Sequence, residues 1–226
     1  MRVKIALFDI DGTLLRAGGA GRRAVEIALG EVLGKTDDVS LESIPFAGRT
    51  DPWIISQALA KYGVAGDQRL ISAVLTRYIA VLPAQLAIAH AFEVLPGVIE
   101  LLRHLFGRHD VALGLGTGNA EPAAYAKLAR GGLESFFSFG GFGSDHVDRA
   151  EVLRIGLERG LKKAEREDAR AVVIGDTPRD VEAARAIGAE CIAVETGSYE
   201  ASTLREAGAS LVVSDLRDPD VLEALR

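Results

Sequence analysis

Three short segments place acids, hydroxyls and glycines where they could work on a phosphate. Asp9-Ile10-Asp11-Gly12-Thr13 sets two carboxylates two residues apart, and Thr117-Gly118-Asn119 offers a hydroxyl beside a glycine. Gly175-Asp176-Thr177-Pro178-Arg179-Asp180 adds two more acids. Carboxylates at the end of a buried strand are costly unless something cationic meets them. With several glycine-flanked backbone N–H groups they suit a hard, oxygen-liking cation such as Mg2+ with a phosphate beside it. Each segment alone has a plainer reading. Asp-X-Asp-Gly is also a capped turn, Gly175-Asp176 with Asp180 is also a loop and helix N-cap, and Thr117-Gly118-Asn119 is also an ordinary strand-to-helix turn. A dinucleotide-binding reading of Gly114, Gly116 and Gly118 fails, because Asn119 stands where Gly-X-Gly-X-X-Gly needs glycine. What the plain readings leave unexplained is the joint occurrence of the three, each directly after an apolar run.

Those runs are the elements that must position the chemistry. Residues 3–8, 111–116, 171–175, 191–194 and 211–213 read as short apolar strands, with 136–139 as a further candidate. Near-continuous apolar strands suit a parallel sheet covered on both faces. Helix-period segments alternate with them, at Val98, Leu101, Leu102 and Leu105, at Val152 and Ile155, and at Val181, Ala184 and Ile187. This alternation predicts an α/β fold, a Rossmann-like doubly wound parallel sheet, in which ligands bind outside the carboxyl ends of the strands. Between residues 16 and 92 no strand is expected. Val25, Ala28, Leu29, Val32 and Leu33 mark one amphipathic helix there, and the apolar positions from Leu70 to Leu82 mark a longer one. Asp51-Pro52 reads as an N-cap with proline at the first helical position of a third. Residues 18–21 and 34–48 read as loops. The expected organisation is a catalytic core of residues 1–15 and 93–226, interrupted by a helical cap domain of residues 16–92.

Composition narrows the class of protein. A length of 226 residues falls between one domain and two. Hydrophobic residues at 48%, charged at 26% and aromatic at 6% are ordinary for a soluble globular chain. The balance of 26 Lys+Arg against 32 Asp+Glu argues against a nucleic-acid partner. Cys191 alone cannot form an intramolecular disulfide, and four scattered histidines leave no zinc-type cluster. The N-terminal apolar run is broken by Asp9 and Asp11 too soon for a signal peptide. No stretch is expected to supply the roughly 20 apolar residues needed to cross a bilayer. The expectation is a cytoplasmic protein with neither a nucleic-acid nor a membrane partner.

The segments FDIDGTLL (residues 8–15), GTGN around Thr117 and GDTPRD (residues 175–180) resemble motifs I, II and IV of the haloacid dehalogenase (HAD) superfamily. The helical insertion between the first two is similar to that of its phosphoglycolate-phosphatase-like branch. The resemblance implies an HAD-like core with an inserted cap, and a Mg2+-dependent phosphatase acting on a small phosphorylated metabolite through an aspartyl-phosphate. It makes Asp9 the nucleophile. Asp11 becomes the general acid and base, kept protonated by crowded acids, and also gives a backbone carbonyl to Mg2+. The branch that cleaves carbon–halogen bonds lacks this second acid, so Asp11 points to phosphoryl transfer. Thr117, Gly118 and Asn119, with Gly12 and Thr13, would bind the phosphoryl group, and Thr13 could also orient Asp11. Asp176 and Asp180 would complete the metal site with Asp9 and Asp11. Motif III departs from the pattern, because residues 140–149 contain no lysine; Arg149 is the foremost cation there and Lys127 its rival. Arg49, in a segment similar to a cap loop, would touch an anionic substrate. A phosphomutase, a pyrophosphatase or nucleotidase, and a phospho-acceptor signalling module are the competing readings.

Overall fold

A computed structural model describes residues 3–35 and 39–226. Strand β1 (Lys4–Phe8) is buried along its whole length, which a strand with covered faces and neighbours on both sides requires. It lies inside a six-stranded sheet with β4 (Val111–Thr117), β5 (Gly140–Phe142), β6 (Arg170–Gly175), β7 (Glu190–Val194) and β8 (Leu211–Val213), in the order β5-β4-β1-β6-β7-β8. Every pairing in it is parallel. Phe8 is in register with Leu115 on one side and Ile174 on the other. Asp9, Thr117 and Asp176 therefore emerge close together at the carboxyl edge.

Successive side chains of a strand face opposite ways, and β1 divides its own between two cores. Ala6 and Phe8 join the cluster that takes in α4 (Val98–Leu105), α5 (Glu121–Gly131) and α9 (Pro219–Ala224). Ile5 and Leu7 join the one that takes in α6 (Arg149–Lys163), α7 (Pro178–Ala186) and α8 (Ala201–Ala207). The sheet is doubly wound, as its alternating sequence predicts.

Between β1 and α4 lie three helices, α1 (Ala20–Leu33), α2 (Asp51–Lys61) and α3 (Gln68–Ala87). The chain enters and leaves this block through a two-stranded antiparallel ribbon, β2 (Leu15–Ala17) with β3 (Phe92–Val94), pairing Leu15 with Val94 and Ala17 with Phe92. No strand is expected there from sequence, because three residues are too few to show an alternation. Helix α3 departs from expectation in another way: by length and composition it is apolar enough to cross a membrane. Its buried residues Val74, Tyr78, Val81, Leu82 and Leu86 nonetheless belong to the same core cluster as Val25, Ala28 and Leu29 of α1.

Smaller differences have local causes. Residues 134–136 form a 3-10 turn and the edge strand begins only at Gly140; the aromatic run before it is apolar because it packs, Phe137 meeting Phe8 edge-on at 5.9 Å. Thr50 is the N-cap of α2, so Asp51 and Pro52 are its first two residues. Helix α1 starts at Ala20, inside the expected loop, where Gly19 takes φ 77° as its N-cap. Of the expected loop 34–48, residues 36–38 lie outside the described residues.

Candidate active site

Asp9 follows β1 directly, and its N–H still donates to the Ile174 carbonyl at 2.8 Å. Its buried carboxylate meets Arg149, the first residue of α6, whose Nη2 lies 2.9 Å from Asp9 Oδ1. The same Nη2 lies 2.6 Å from Asp180 Oδ1, and Arg149 Nε donates to that oxygen at 3.1 Å. Asp180 is held in turn by the capping box of α7, accepting from the Thr177 N–H at 3.1 Å and the Thr177 hydroxyl at 2.7 Å. The loop that reads as a plain N-cap thus does more than start a helix, since it also fixes the acid that aims Arg149.

Asp176 leaves β6 and accepts from the Thr13 hydroxyl at 3.3 Å. Thr13 is therefore turned to Asp176 and not to Asp11. Asp9, Asp176 and Asp180, all buried, bring carboxylate oxygens within 4.8 Å of one another. Among the described residues Arg149 is the cation at this cluster, bonding Asp9 and Asp180 but not Asp176, and the protonation of the acids reflects it. Burial pushes Asp9 up to about 6 against the pull of Arg149. Burial, with Asp180 and Asp9 nearby, drives Asp176 well above the usual carboxylate range. Burial opposes the charge of Arg149, but Asp180 and Asp9 outweigh it and hold the guanidinium protonated. An all-oxygen, under-compensated acid cluster is the donor chemistry that a hard divalent cation prefers. The backbone makes room for it: Gly12 has φ 89°, and a Cβ there would lie 2.4 Å from Asp176 Oδ2. Gly197 is as tight, its would-be Cβ 1.8 Å from the same oxygen, and the Thr196 hydroxyl donates to the Gly12 carbonyl at 2.6 Å. Thr196 and Gly197 were not anticipated from sequence, where a Thr-Gly pair after the β7 run is the one signal.

Asp11 stands apart from that cluster, its side chain 44% exposed. Lys127 Nζ, from α5, lies 2.5 Å from Asp11 Oδ2 and 2.5 Å from Asn119 Oδ1. Asn119 Nδ2 donates to Asp11 Oδ2 at 2.8 Å and to Thr117 Oγ1 at 2.9 Å. Two expectations change, and the foremost cation keeps its place. Lys127 faces Asp11, leaving Arg149 as the cation on Asp9. The hydrogen-bond partners of Asp11 are donors, not crowded acids. The Asn119 side chain is committed to protein partners, while Thr117, fully buried, accepts from it and from its N–H at 3.3 Å.

A cavity of about 250 Å³ opens over Asp9, Asp11, Arg149 and Lys127, and its far wall includes Arg22, Arg49, Asp51 and Tyr78 of the helical block. The block is docked on the Thr117 loop. The Asp51 N–H donates to the Gly118 carbonyl at 2.8 Å, and the Asp51 carboxylate accepts from the Ala120 N–H at 2.8 Å. The approach is close enough that a Cβ on Gly118 would lie 2.1 Å from the Arg49 carbonyl oxygen. Burial, only partly offset by Lys127 and the Ala120 amide, pushes Asp51 up to about 6. Its place on the cavity wall is invisible in a sequence where it reads as a helix cap. Arg49 stacks its guanidinium 3.9 Å from the Trp53 ring centroid, with its buried Nε unpartnered.

Residues 3–188 match the family of haloacid dehalogenase-like hydrolases, and the chain belongs to that family. It is an enzyme, a hydrolase of the phosphatase kind. The chain is similar to a phosphoglycolate phosphatase from Pseudomonas savastanoi pv. phaseolicola, 30% identical over 220 residues, covering 95% of this chain and 77% of that one. A phosphoglycolate phosphatase from Pseudomonas syringae pv. tomato is 29% identical over 216 residues, with the same two shares. The fold of the chain is shared with the crystal structure of a predicted phosphoglycolate phosphatase from Haemophilus somnus, at TM-score 0.71 and 16% identity over 100% of this chain and 99% of that one.

Proposed function

We propose that the protein is a Mg2+-dependent phosphatase that hydrolyses a small anionic phosphate monoester of the phosphoglycolate type through an aspartyl-phosphate at Asp9. The observation that carries this reading is the buried Asp9 carboxylate on the floor of a small cavity, paired there to Arg149 and backed by the carboxylates of Asp176 and Asp180. In it Asp9 attacks phosphorus and the ester oxygen departs with a proton carried on Asp11 Oδ1, the oxygen that neither Lys127 nor Asn119 bonds. Water then attacks the phosphoryl group on Asp9, gives its proton to Asp11, and leaves phosphate and free Asp9. Arg149 offsets the repulsion between two anions. Asp9, Asp176 and Asp180 would hold Mg2+, which supplies positive charge for the phosphoryl oxygens. Asp11 would join that set through its backbone carbonyl. Thr117, whose hydroxyl accepts twice from Asn119, has its proton left for a phosphoryl oxygen, and Gly118 and Gly12 shape the turns around it.

Residues 16–92 act as the cap over the core of residues 1–15 and 93–226, excluding water from the reaction. Their arginines choose the substrate. The volume of about 250 Å³ lies below the roughly 300–1,000 Å³ of common ligand pockets, which suits a metabolite of a few carbons better than a nucleotide. Arg49 on its wall, its buried Nε unpartnered, suits a second negative group such as a carboxylate. The names of the two Pseudomonas relatives support the same choice. Phosphate release from a panel of phosphorylated acids, sugars and nucleotides, with Mg2+ and with chelator, tests the reading. Release from phosphoglycolate, lost on chelation, is expected. Sugar-phosphate isomerisation without free phosphate would replace it with a mutase, and silence on every ester with Mg2+ would overturn it.

A further inference from the structure

Arg149 already serves Asp9, so a second buried cation in the same cavity needs its own account. Lys127 is 4% exposed, and burying an ammonium is costly unless it is paired and hydrogen-bonded. It is both. Lys127 bonds Asp11 Oδ2 and Asn119 Oδ1, and Asn119 Nδ2 closes back on Asp11 Oδ2, giving a ring of three side chains. The ring is anchored at one more point, since Asn119 Nδ2 also reaches the Thr117 hydroxyl. Asp11 needs such support, for it sits on the turn after β1 with its carboxylate 44% exposed. Left to itself a carboxylate so placed would sample several rotamers.

We infer that Lys127 and Asn119 are positioning residues that lock the Asp11 carboxylate where it exchanges protons with the leaving oxygen and the attacking water, and tie it to the phosphate-facing Thr117. This rests on the reading of Asp11 as acid and base. Lys127 acts on the proton-transfer half of the chemistry, and Arg149 on the nucleophilic half. Displacing a catalytic group by about 1 Å costs on the order of 10²-fold in rate, so Lys127→Met is expected to lower kcat on phosphoglycolate by about that factor with KM little changed.

The test compares two esters. The nitrophenolate of 4-nitrophenyl phosphate leaves without a proton, so its pre-steady-state burst needs Asp9 and Arg149 but not Asp11. Lys127→Met should keep the burst rate within a few-fold of wild type while steady-state turnover of both esters falls, because hydrolysis of the intermediate still needs Asp11 as base. Lys127→Arg, which keeps the charge and several donors, should recover part of the loss. Asn119→Ala opens the ring from the other side and should show the same split; it decides the matter if Lys127→Met does not fold. Equal losses in burst and turnover would overturn the inference, as would a variant with unchanged turnover. A wild-type protein that cleaves neither ester with Mg2+ would instead remove the phosphatase reading itself.

Discussion

Replacing Arg149 by methionine isolates the electrostatic design of the site. The guanidinium is 9% exposed and is the cation in contact with both Asp9 and Asp180. Methionine fills a similar volume and leaves those carboxylates facing each other. Removing one partner of a buried ion pair costs about 3–5 kcal/mol, because the other is left uncompensated. At roughly 2–4 °C per kcal/mol for a chain of this size, the metal-free protein should melt about 6–20 °C below wild type. The assay is thermal unfolding at pH 7.5 in chelator, followed by circular dichroism, with Arg149→Lys as the control. One ammonium cannot reproduce the Nε and Nη2 contacts on Asp180 together with the one on Asp9, so the lysine variant should fall between the two. Adding Mg2+ should raise the melting temperature of Arg149→Met more than that of wild type, since a divalent ion replaces charge that the arginine no longer supplies. A metal-free Arg149→Met protein that melts within 2 °C of wild type, on the scale of roughly half a kcal/mol, would refute the reasoning: the acids would then not depend on that cation.

Asp9→Asn should abolish turnover and yet stabilise the metal-free protein. Because the folded carboxyl is raised from 3.8 to about 6, the folded state keeps a proton that the unfolded chain releases. The sign follows: stability contributed at low pH is lost as pH rises from about 4 through about 6, up to about 3 kcal/mol for a shift of this size. The melting-point gain of Asp9→Asn should therefore be largest above pH 6 and vanish toward pH 4; a loss at pH 7.5 would contradict it. Gly12→Ala should cost about 1–3 kcal/mol for a side chain at positive φ and weaken metal binding, read by titration calorimetry, since its Cβ would press on Asp176. Arg49→Ala should raise KM for phosphoglycolate at least tenfold with little change in the burst rate of 4-nitrophenyl phosphate. Equal effects on the two would place Arg49 outside acid recognition.

Asp9 and Asp176 were legible in the sequence because each follows a run of buried strand residues. Asp9 after KIALF and Asp176 after RAVVIG are fixed to the carboxyl edge by hydrophobic pattern alone. Arg149 was legible more weakly, through the missing lysine of residues 140–149. For Lys127 the sequence shows the helix but not the acid it meets. Its position relative to Asp11 depends on how α5 lies across the sheet, which the apolar positions Ala124 and Leu128 do not encode in detail. Asp51 shows the opposite failure. An aspartate before a proline reads as a helix start from local chemistry, and its bonds to Gly118 and Ala120 join residues far apart in the chain.

By itself the sequence determined the alternation of strands and helices, the interruption after the first strand, and the three strand ends where carboxylates and a hydroxyl would gather. These are local or periodic properties, set by which side chains tolerate burial and which glycines tolerate a tight turn. The tertiary structure decided the pairing. It gave Arg149 to Asp9 and Asp180, gave Lys127 to Asp11 and Asn119, turned Thr13 to Asp176, and closed the cavity with Arg49 and Asp51. Pairings of this kind depend on the register between strands and on the docking of helices across them, and a charge in a chain carries no label of its partner until packing brings the two within a few ångströms.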